Sequence, residues 1–591
     1  MNPVPSAAAQ AALLPLPVAI PICGAVAAPL LARSGRTLPL IVSVGAMLAS
    51  LSVLVLIAPG VFAGHPLVHY LGGWGPVDGV VLGIGFAADP FGLAFALATA
   101  AIGTLLLVAT MSELGGLGRG ELGGYACLFQ LLLAALIGGA LTADLFNLFV
   151  WFEVAALASY GLTGFFLERP LALEAAFKLL VLTTIASFAV FIGIGLLYAD
   201  HGALNFGQLH QALAGRLATP DLIALGLLVS GFATKAGLVP FHGWLADAHT
   251  AAPGPVSALF SGLMVNFGIV AIVRLGYQVY GFAEVSILPV LTVIGAISAL
   301  LGAILALAQD DLKRLLAYDT VSQMGVLAVG LGTATTSGVG GAVYHLLNHT
   351  LFKSLLLLCA GAVVHITGQT HLSRMGGLAR RTPVLTLAFL FGIGSIVGVP
   401  PFNGYVSLSL IHRGLLAGHH QVTYVVMLIA QLLTIAALGR AAWLAFFRAR
   451  SQPYPQLTRL RPGMITALGT LAGCCVLFGV LPRLLLTGFV APAVNDLLNA
   501  DNYVAAVLLR QEDIASRMAP TTISFDYNDL AELLSTGISV VLAGALTWWY
   551  LRHPEPRPVR ALRALHTGSV QDYAGFAVLG LIAVSTALTL H

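Results

Sequence analysis

Residues Gly231–His249 read GFATKAGLVPFHGWLADAH, an apolar run that carries Lys235 and is interrupted at Gly237 and Pro240. An aqueous surface helix would put its lysine on a polar face, and this one has no polar face around Lys235. Glycine and proline in mid-helix free backbone groups, which lipid cannot satisfy. A broken apolar helix with an internal lysine belongs inside a membrane protein, where it lines a polar cavity.

The rest of the chain agrees. It has 591 residues, 58% hydrophobic and 9% charged, with mean hydropathy +0.94; a soluble protein carries roughly a quarter charged residues. Apolar runs of about 20 residues, each long enough to cross a bilayer as a helix, predict sixteen spans. They centre near residues 23, 48, 100, 132, 155, 186, 232, 268, 297, 322, 352, 397, 435, 476, 541 and 581. The first thirteen residues lack Lys and Arg, so Leu14–Ala32 reads as span one rather than a secretory signal. With the N-terminus outside, seventeen loop cations fall in odd-numbered connections and five (Arg216, Arg413, Arg483, Arg510, Arg517) in even ones. That segregation supports the count and predicts an inner-membrane protein with both termini outside. Cys23, Cys127, Cys359, Cys474 and Cys475 lie in apolar runs without ligand spacing, so no metal site and no cofactor are expected.

Only four of 27 basic residues are lysines, and Lys178, Lys235 and Lys353 fall inside spans. Charge within a membrane is costly and points to function. Arginine keeps its proton, whereas a buried lysine can release one. The division suggests proton movement; the competing reading makes each lysine the static half of an ion pair. Glu153, in DLFNLFVWFEVAALASYGLTGF (Asp144–Phe165), is the obvious counter-charge, and Asp144 reads as a helix cap. In YHLLNHTLFKSLLLLCAGAVVH (Tyr344–His365), His345, His349 and Lys353 stand at i, i+4 and i+8, forming one stripe of titratable groups. GVPPFNGY (Gly398–Tyr405) breaks span twelve as Gly237 and Pro240 break span seven, which suggests paired inverted repeats. His242 lies in the first break.

These residues resemble a known family. DLFNLFVWFEVAALASYGL and LGGWGPVDGVVLGIGFAADPFGLA (Leu71–Ala94) are similar to the D-type subunit of Mrp sodium/proton antiporters. PGPVSALFSGLM (Pro253–Met264) and LKRLLAYDTVSQMG (Leu312–Gly325) resemble the wider antiporter-like group that includes respiratory complex I. GVPPFNGYVSLSL and GGLARRTP (Gly376–Pro383) look more like the equivalent subunit of membrane-bound hydrogenases. The resemblance covers roughly residues 10–490; beyond it only HTGSVQDY (His566–Tyr573) is similar to the ends of longer members.

The resemblance implies an all-α polytopic fold. Its fourteen-span core holds two inverted five-helix repeats with discontinuous spans seven and twelve, and here a two-span C-terminal hairpin follows. The expected divisions are 1–120 (spans one to three), 121–281 and 282–450 (the repeats), 451–490 (span fourteen), 491–530 (an extramembrane linker) and 531–591 (spans fifteen and sixteen). Matched motif to motif, Glu153 would tune the proton-carrying Lys235, Lys178 would be the span-six cation, and His349 and Lys353 would form a central relay with His345 a turn away. Two positions depart from the family pattern. Asn266 stands where span eight usually has lysine, and Leu408 where span twelve usually has lysine or glutamate. His412, four residues on, shares the face of Leu408 and could substitute; Asp319 is an unusual carboxylate in span ten.

The resulting expectation is a proton-translocating, cation/proton antiporter-like subunit of a multisubunit membrane complex of Mrp, complex I, hydrogenase or carbon-uptake type. It would work with other membrane subunits, protons and possible exchange of sodium, without nucleic acid. By itself the chain would not be an enzyme, though it could belong to a redox-linked translocase. The alternatives are a non-translocating scaffold for a partner enzyme and a subunit of an energy-coupled inorganic-carbon uptake complex.

Overall fold

A computed structural model describes residues 7–113, 117–215, 217–281, 287–449, 454, 459–510, 521–553 and 568–590. Fourteen of its helices are long and apolar enough to cross a membrane. Two further apolar segments are each split in the middle: Thr219–Ala236 with Leu245–Ala251, and Pro383–Ile396 with Asn403–Ala417. Together they make sixteen crossing elements, and the split ones are spans seven and twelve as the sequence predicts.

Helix starts follow elementary rules. Proline occupies the first turn at Pro170, Pro383 and Pro462, where no amide hydrogen is needed. Asp144 caps span five by accepting from the Asn147 amide at 2.7 Å, and Asp311 caps span ten through Arg314 at 2.9 Å.

Spans eight (Gly254–Val279), ten (Leu312–Gly332) and eleven (Thr336–Thr367) are enclosed on nearly all sides, whereas spans two (Leu38–Phe62) and fifteen (Leu530–Arg552) expose a wide apolar face. Polar side chains concentrate in the enclosed three, so the titratable groups sit at the centre of the bundle rather than its rim. In both breaks the chain turns at a glycine in the left-handed region, Gly237 (φ +71°) and Gly398 (φ +72°), and each contains a cis X–Pro bond, at Pro240 and Pro401.

The structure adds to the sequence reading in four places. An antiparallel hairpin, β1 (Leu67–Tyr70) with β2 (Gly85–Ala88), fills the connection between spans two and three. Of the 491–530 segment, expected as an extramembrane linker, the first part forms helices Ala491–Leu498 and Asp501–Val507 and is tied to the hairpin by the Tyr70 hydroxyl, 2.5 Å from the Val507 carbonyl. Gln511, Glu512 and Asp513 lie outside the described residues.

Arginine is not confined to loops either. Arg274 in span eight is fully buried against Asp89 at 2.5 Å, and Arg440 lies in span thirteen (Gln421–Phe447). The two C-terminal helices also part company. Span fifteen packs along span thirteen, and span sixteen (Val570–Thr589) packs along spans six and seven, with Tyr573 against Gly243 and Pro240 against Gly580.

The second break is held by close backbone approach. A Cβ added at Gly479 would stand 2.0 Å from the Pro401 carbonyl oxygen, whereas one at Gly473 meets nothing within 4 Å. Gly479→Ala is therefore expected to destabilise the protein by about 1–3 kcal/mol, and Gly473→Ala to change stability by less than about 0.5 kcal/mol. Thermal unfolding of the two purified variants beside wild type checks both.

Candidate functional site

Lys235 sits in the last turn of the first half of span seven. Helix carbonyls left without partners at such an end favour a cation. Thr234 O, which takes the Gly237 amide at 3.1 Å, also accepts from the Trp244 indole at 2.8 Å, which folds the chain beyond the break back onto the helix end. The Lys235 ammonium is fully buried, stands 4.6 Å over the Phe152 ring, and has no hydrogen-bond partner among the described residues. Glu153, next to Phe152, is near enough for its charge to act on Lys235, yet no ion pair forms within 4.0 Å. Its carboxylate accepts from Ser187 of span six (Pro170–His201). A through-space coupling of this kind adjusts the lysine without locking it.

Lys178 is placed differently. It bonds Glu174 at 2.5 Å and Asp247 at 2.9 Å, and Asp247 also holds Arg314 at 3.2 Å. This network ties the arginine-rich ends of spans six, seven and ten. It does not bring Lys178 into contact with Glu153 or Lys235. His242 is buried within the break.

Three further groups belong with these. His249, in the short helix after the break, is fully buried, and neither ring nitrogen has a hydrogen-bond partner among the described residues. It lies near enough to Lys313 and Lys353 to feel both charges. Lys313 is not a loop cation: its buried ammonium donates to Ala252 O at 2.7 Å and lies near the Glu113 carboxylate. The signal for Lys313 was in the sequence, since it is the fourth lysine of a chain that otherwise uses arginine.

Span eleven carries His345, His349 and Lys353 on one buried stripe. Lys353 bonds Asp319 at 2.5 Å and Leu316 O at 3.0 Å, so the unusual carboxylate of span ten is its counter-charge. Both groups are fully buried, where an ion pair survives only with good geometry and added hydrogen bonds. His349 packs on Phe352 at 5.4 Å and has no hydrogen-bond partner among the described residues. His345 is bound on both sides, with Nδ1 2.9 Å from Ser407 Oγ and Nε2 3.0 Å from Gln323 Oε1, linking spans ten, eleven and twelve.

The two departures are inert. Asn266 donates to Gly262 O of its own helix at 2.8 Å, and Leu408 is buried in an apolar cluster with Ala299, Val326 and Ile411. His412 has a partner that the sequence did not suggest: its Nδ1 is 2.9 Å from Glu532 Oε1 of span fifteen. For a metal, the grouping among the described residues is Asp200, His201 and Asp221. Asp221 there already bonds His201 at 2.7 Å and accepts from the Ala218 amide at 2.9 Å.

The family model described as NADH:quinone oxidoreductase/Mrp antiporter, TM, matches residues 142–434. The chain is 34% identical over 450 residues to the N-type subunit of the NADH-quinone oxidoreductase of Desulforudis audaxviator, covering 75% of this chain and 88% of that protein. It is 30% identical over 439 residues to the D-type subunit of the Na(+)/H(+) antiporter of Bacillus subtilis, covering 74% and 87%. Among solved structures it resembles a chain of the Mrp complex from Dietzia sp. DQ12-45-1b (TM-score 0.76, 26% identity, 84% of this chain and 99% of that one). It also resembles a chain of an archaeal respiratory complex, the membrane-bound sulfane sulfur reductase (TM-score 0.77, 29% identity, again 84% and 99%).

The Lys353–Asp319 pair gives a direct test of how the centre is held. Asp319→Leu alone strands a buried ammonium and is expected to cost about 3–5 kcal/mol, whereas adding Lys353→Met should return most of that loss. Thermal unfolding of the single and double variants measures it.

Proposed function

The chain belongs to the NADH:quinone oxidoreductase/Mrp antiporter membrane family, and from that premise we propose that it moves protons as one subunit of a larger membrane complex. The observation that supports the reading is that Lys235, His249, Lys353, His349 and His345 are all fully buried, on spans seven and eleven, with His345 bonded to Ser407 of the interrupted span twelve. Lys235 exchanges protons, and Glu153 adjusts how readily it does so. His249, near enough to Lys313 and Lys353 to feel both charges, connects the first half to the second on this reading. Lys353 alternates between its bond to Asp319 and proton transfer toward His349, and His345 passes the proton to span twelve. Lys178 holds the ends of spans six and seven together through Asp247.

The arginine-rich face is cytoplasmic on this reading, and the membrane is the bacterial inner membrane. The partners are the other membrane subunits of an Mrp-like or complex I-like assembly, with a sodium gradient or a redox subunit as the energy source. A second reading, a non-translocating scaffold, is favoured by the inert Asn266 and Leu408.

Proton uptake by vesicles holding the intact complex separates the two. Lys235→Arg keeps the charge but not the exchangeable proton, so uptake should fall at least roughly tenfold while assembly is unchanged. Uptake equal to wild type in Lys235→Arg and Lys235→Ala would leave the scaffold as the function.

A further inference from the structure

A proton that reaches His345 meets no titratable group at position 408, because Leu408 is buried among apolar side chains. One turn further along span twelve stands a titratable pair. The His412 side chain is 2% exposed and that of Glu532, 2.9 Å away, is 11% exposed. Glu532 comes from the first turn of span fifteen, outside the family match at 142–434.

The pair faces two ways. Inward, His412 lines a narrow cavity with Ser322, Gln323, Leu408, Gln431 and Thr434, open to a water's centre over about 10 Å³, about the size of one water site. Gln323 is the residue that bonds His345 Nε2. Outward lies a partly exposed cap: Asp529 bonds Arg413 at 3.0 Å, both about one-third exposed, and accepts from the Glu532 amide at 3.3 Å. Those bonds hold the Asp529 carboxyl below the usual carboxylate range, so it stays ionised beside Arg413. Tyr424 stands edge-on to His412 at 5.3 Å, and Tyr405 lies near enough to Glu532 to feel its charge.

We infer that Glu532, delivered by span fifteen, is the terminal proton-carrying carboxylate of the second half, acting with His412 in place of an ionisable side chain at 408. The inference rests on the proposed proton function. A proton binds Nε2 of His412 from water in the cavity. The proton on Nδ1 then passes to Oε1 of Glu532, so an N–H bond breaks as an O–H bond forms. Glu532 releases it to water at the surface; the ring keeps its remaining proton on Nε2, and reorientation of the neutral side chain turns the bare Nδ1 to the cavity and Nε2–H to Glu532, so that the next proton crosses with the two nitrogens exchanged. One proton enters and one leaves, with no net change in the pair.

The test is proton uptake by vesicles of the intact complex carrying Glu532→Gln, with Glu532→Asp and the double variant Glu532→Gln/Leu408→Glu beside it. Glutamine keeps the hydrogen bond to His412 and the helix contact, so a merely structural pair tolerates it. The expected result is a fall of roughly tenfold or more in E532Q, wild-type-like uptake in E532D, and recovery in the double variant. Independently of any substitution, dicyclohexylcarbodiimide should label Glu532 in the wild-type complex and slow uptake in proportion. Wild-type uptake in E532Q, or uptake that survives labelling of Glu532, overturns the inference. If Lys235→Arg abolishes uptake while E532Q does not, only this inference fails; if both are neutral, the proton function fails with it.

Discussion

In hydrocarbon a backbone amide or carbonyl without a partner costs several kcal/mol, and this chain breaks two of its spans in mid-membrane. Everything central to the structure answers that constraint. The Thr234 carbonyl at the first break is met by the Trp244 indole, and the Val239 amide by Ser298 at 2.9 Å. At the second break, Gln431 donates to Val397 O at 3.0 Å and Asn348 donates to Asn403 O at 2.9 Å. Trp244 comes from the same span, but Ser298, Asn348 and Gln431 come from spans nine, eleven and thirteen, so the broken spans lie inside the bundle. The same enclosure leaves Lys235 and the span-eleven stripe fully buried.

Enclosure then sorts the buried charges by how they are paired. Arg274 is fixed by Asp89, Gln278 and Ala140 O, with the guanidinium near the Tyr503 ring at 5.6 Å. That arrangement fastens the outer helices of the 491–507 segment to the core, and arginine suits it because its charge never leaves. Lys353 with Asp319 is an intermediate case, a pair whose cation can in principle let go. Lys235 has an aromatic face and a distant carboxylate and no direct partner among the described residues. Lys178, held by Glu174 and Asp247, is a lysine as firmly paired as Arg274, so it is the partners rather than residue type alone that set Lys235 apart.

Much of this was legible in the sequence, because membrane constraints leave plain marks. Sixteen spans, both breaks, the Asp144 cap and the span-eleven stripe follow from hydropathy, Gly/Pro placement and helical period alone. Pairings did not follow. Nothing in the spacing of Asp319 and Lys353, on different helices, says that they meet. Lys313 was hidden by its neighbour Arg314, which made both look like loop charges, although the Asp311 cap turns the first into the core. Within 491–530 a linker with a short surface helix is as far as the sequence goes; the two helices of 491–507 have short, mixed patterns and are held by contacts with β1 and Arg274.

The C-terminal extension shows why the fold carries two more helices than its core. A pair of helices added as a packed hairpin would cover one patch of the bundle. Here span sixteen lies over the first break, with Tyr573 on Gly243 and Pro240 on Gly580, while span fifteen reaches the helix that follows the second break through Glu532 and His412. Separating them brings one added helix to each interrupted span. On the inferred role of Glu532, position 408 can be apolar because the ionisable group of that half comes from span fifteen instead.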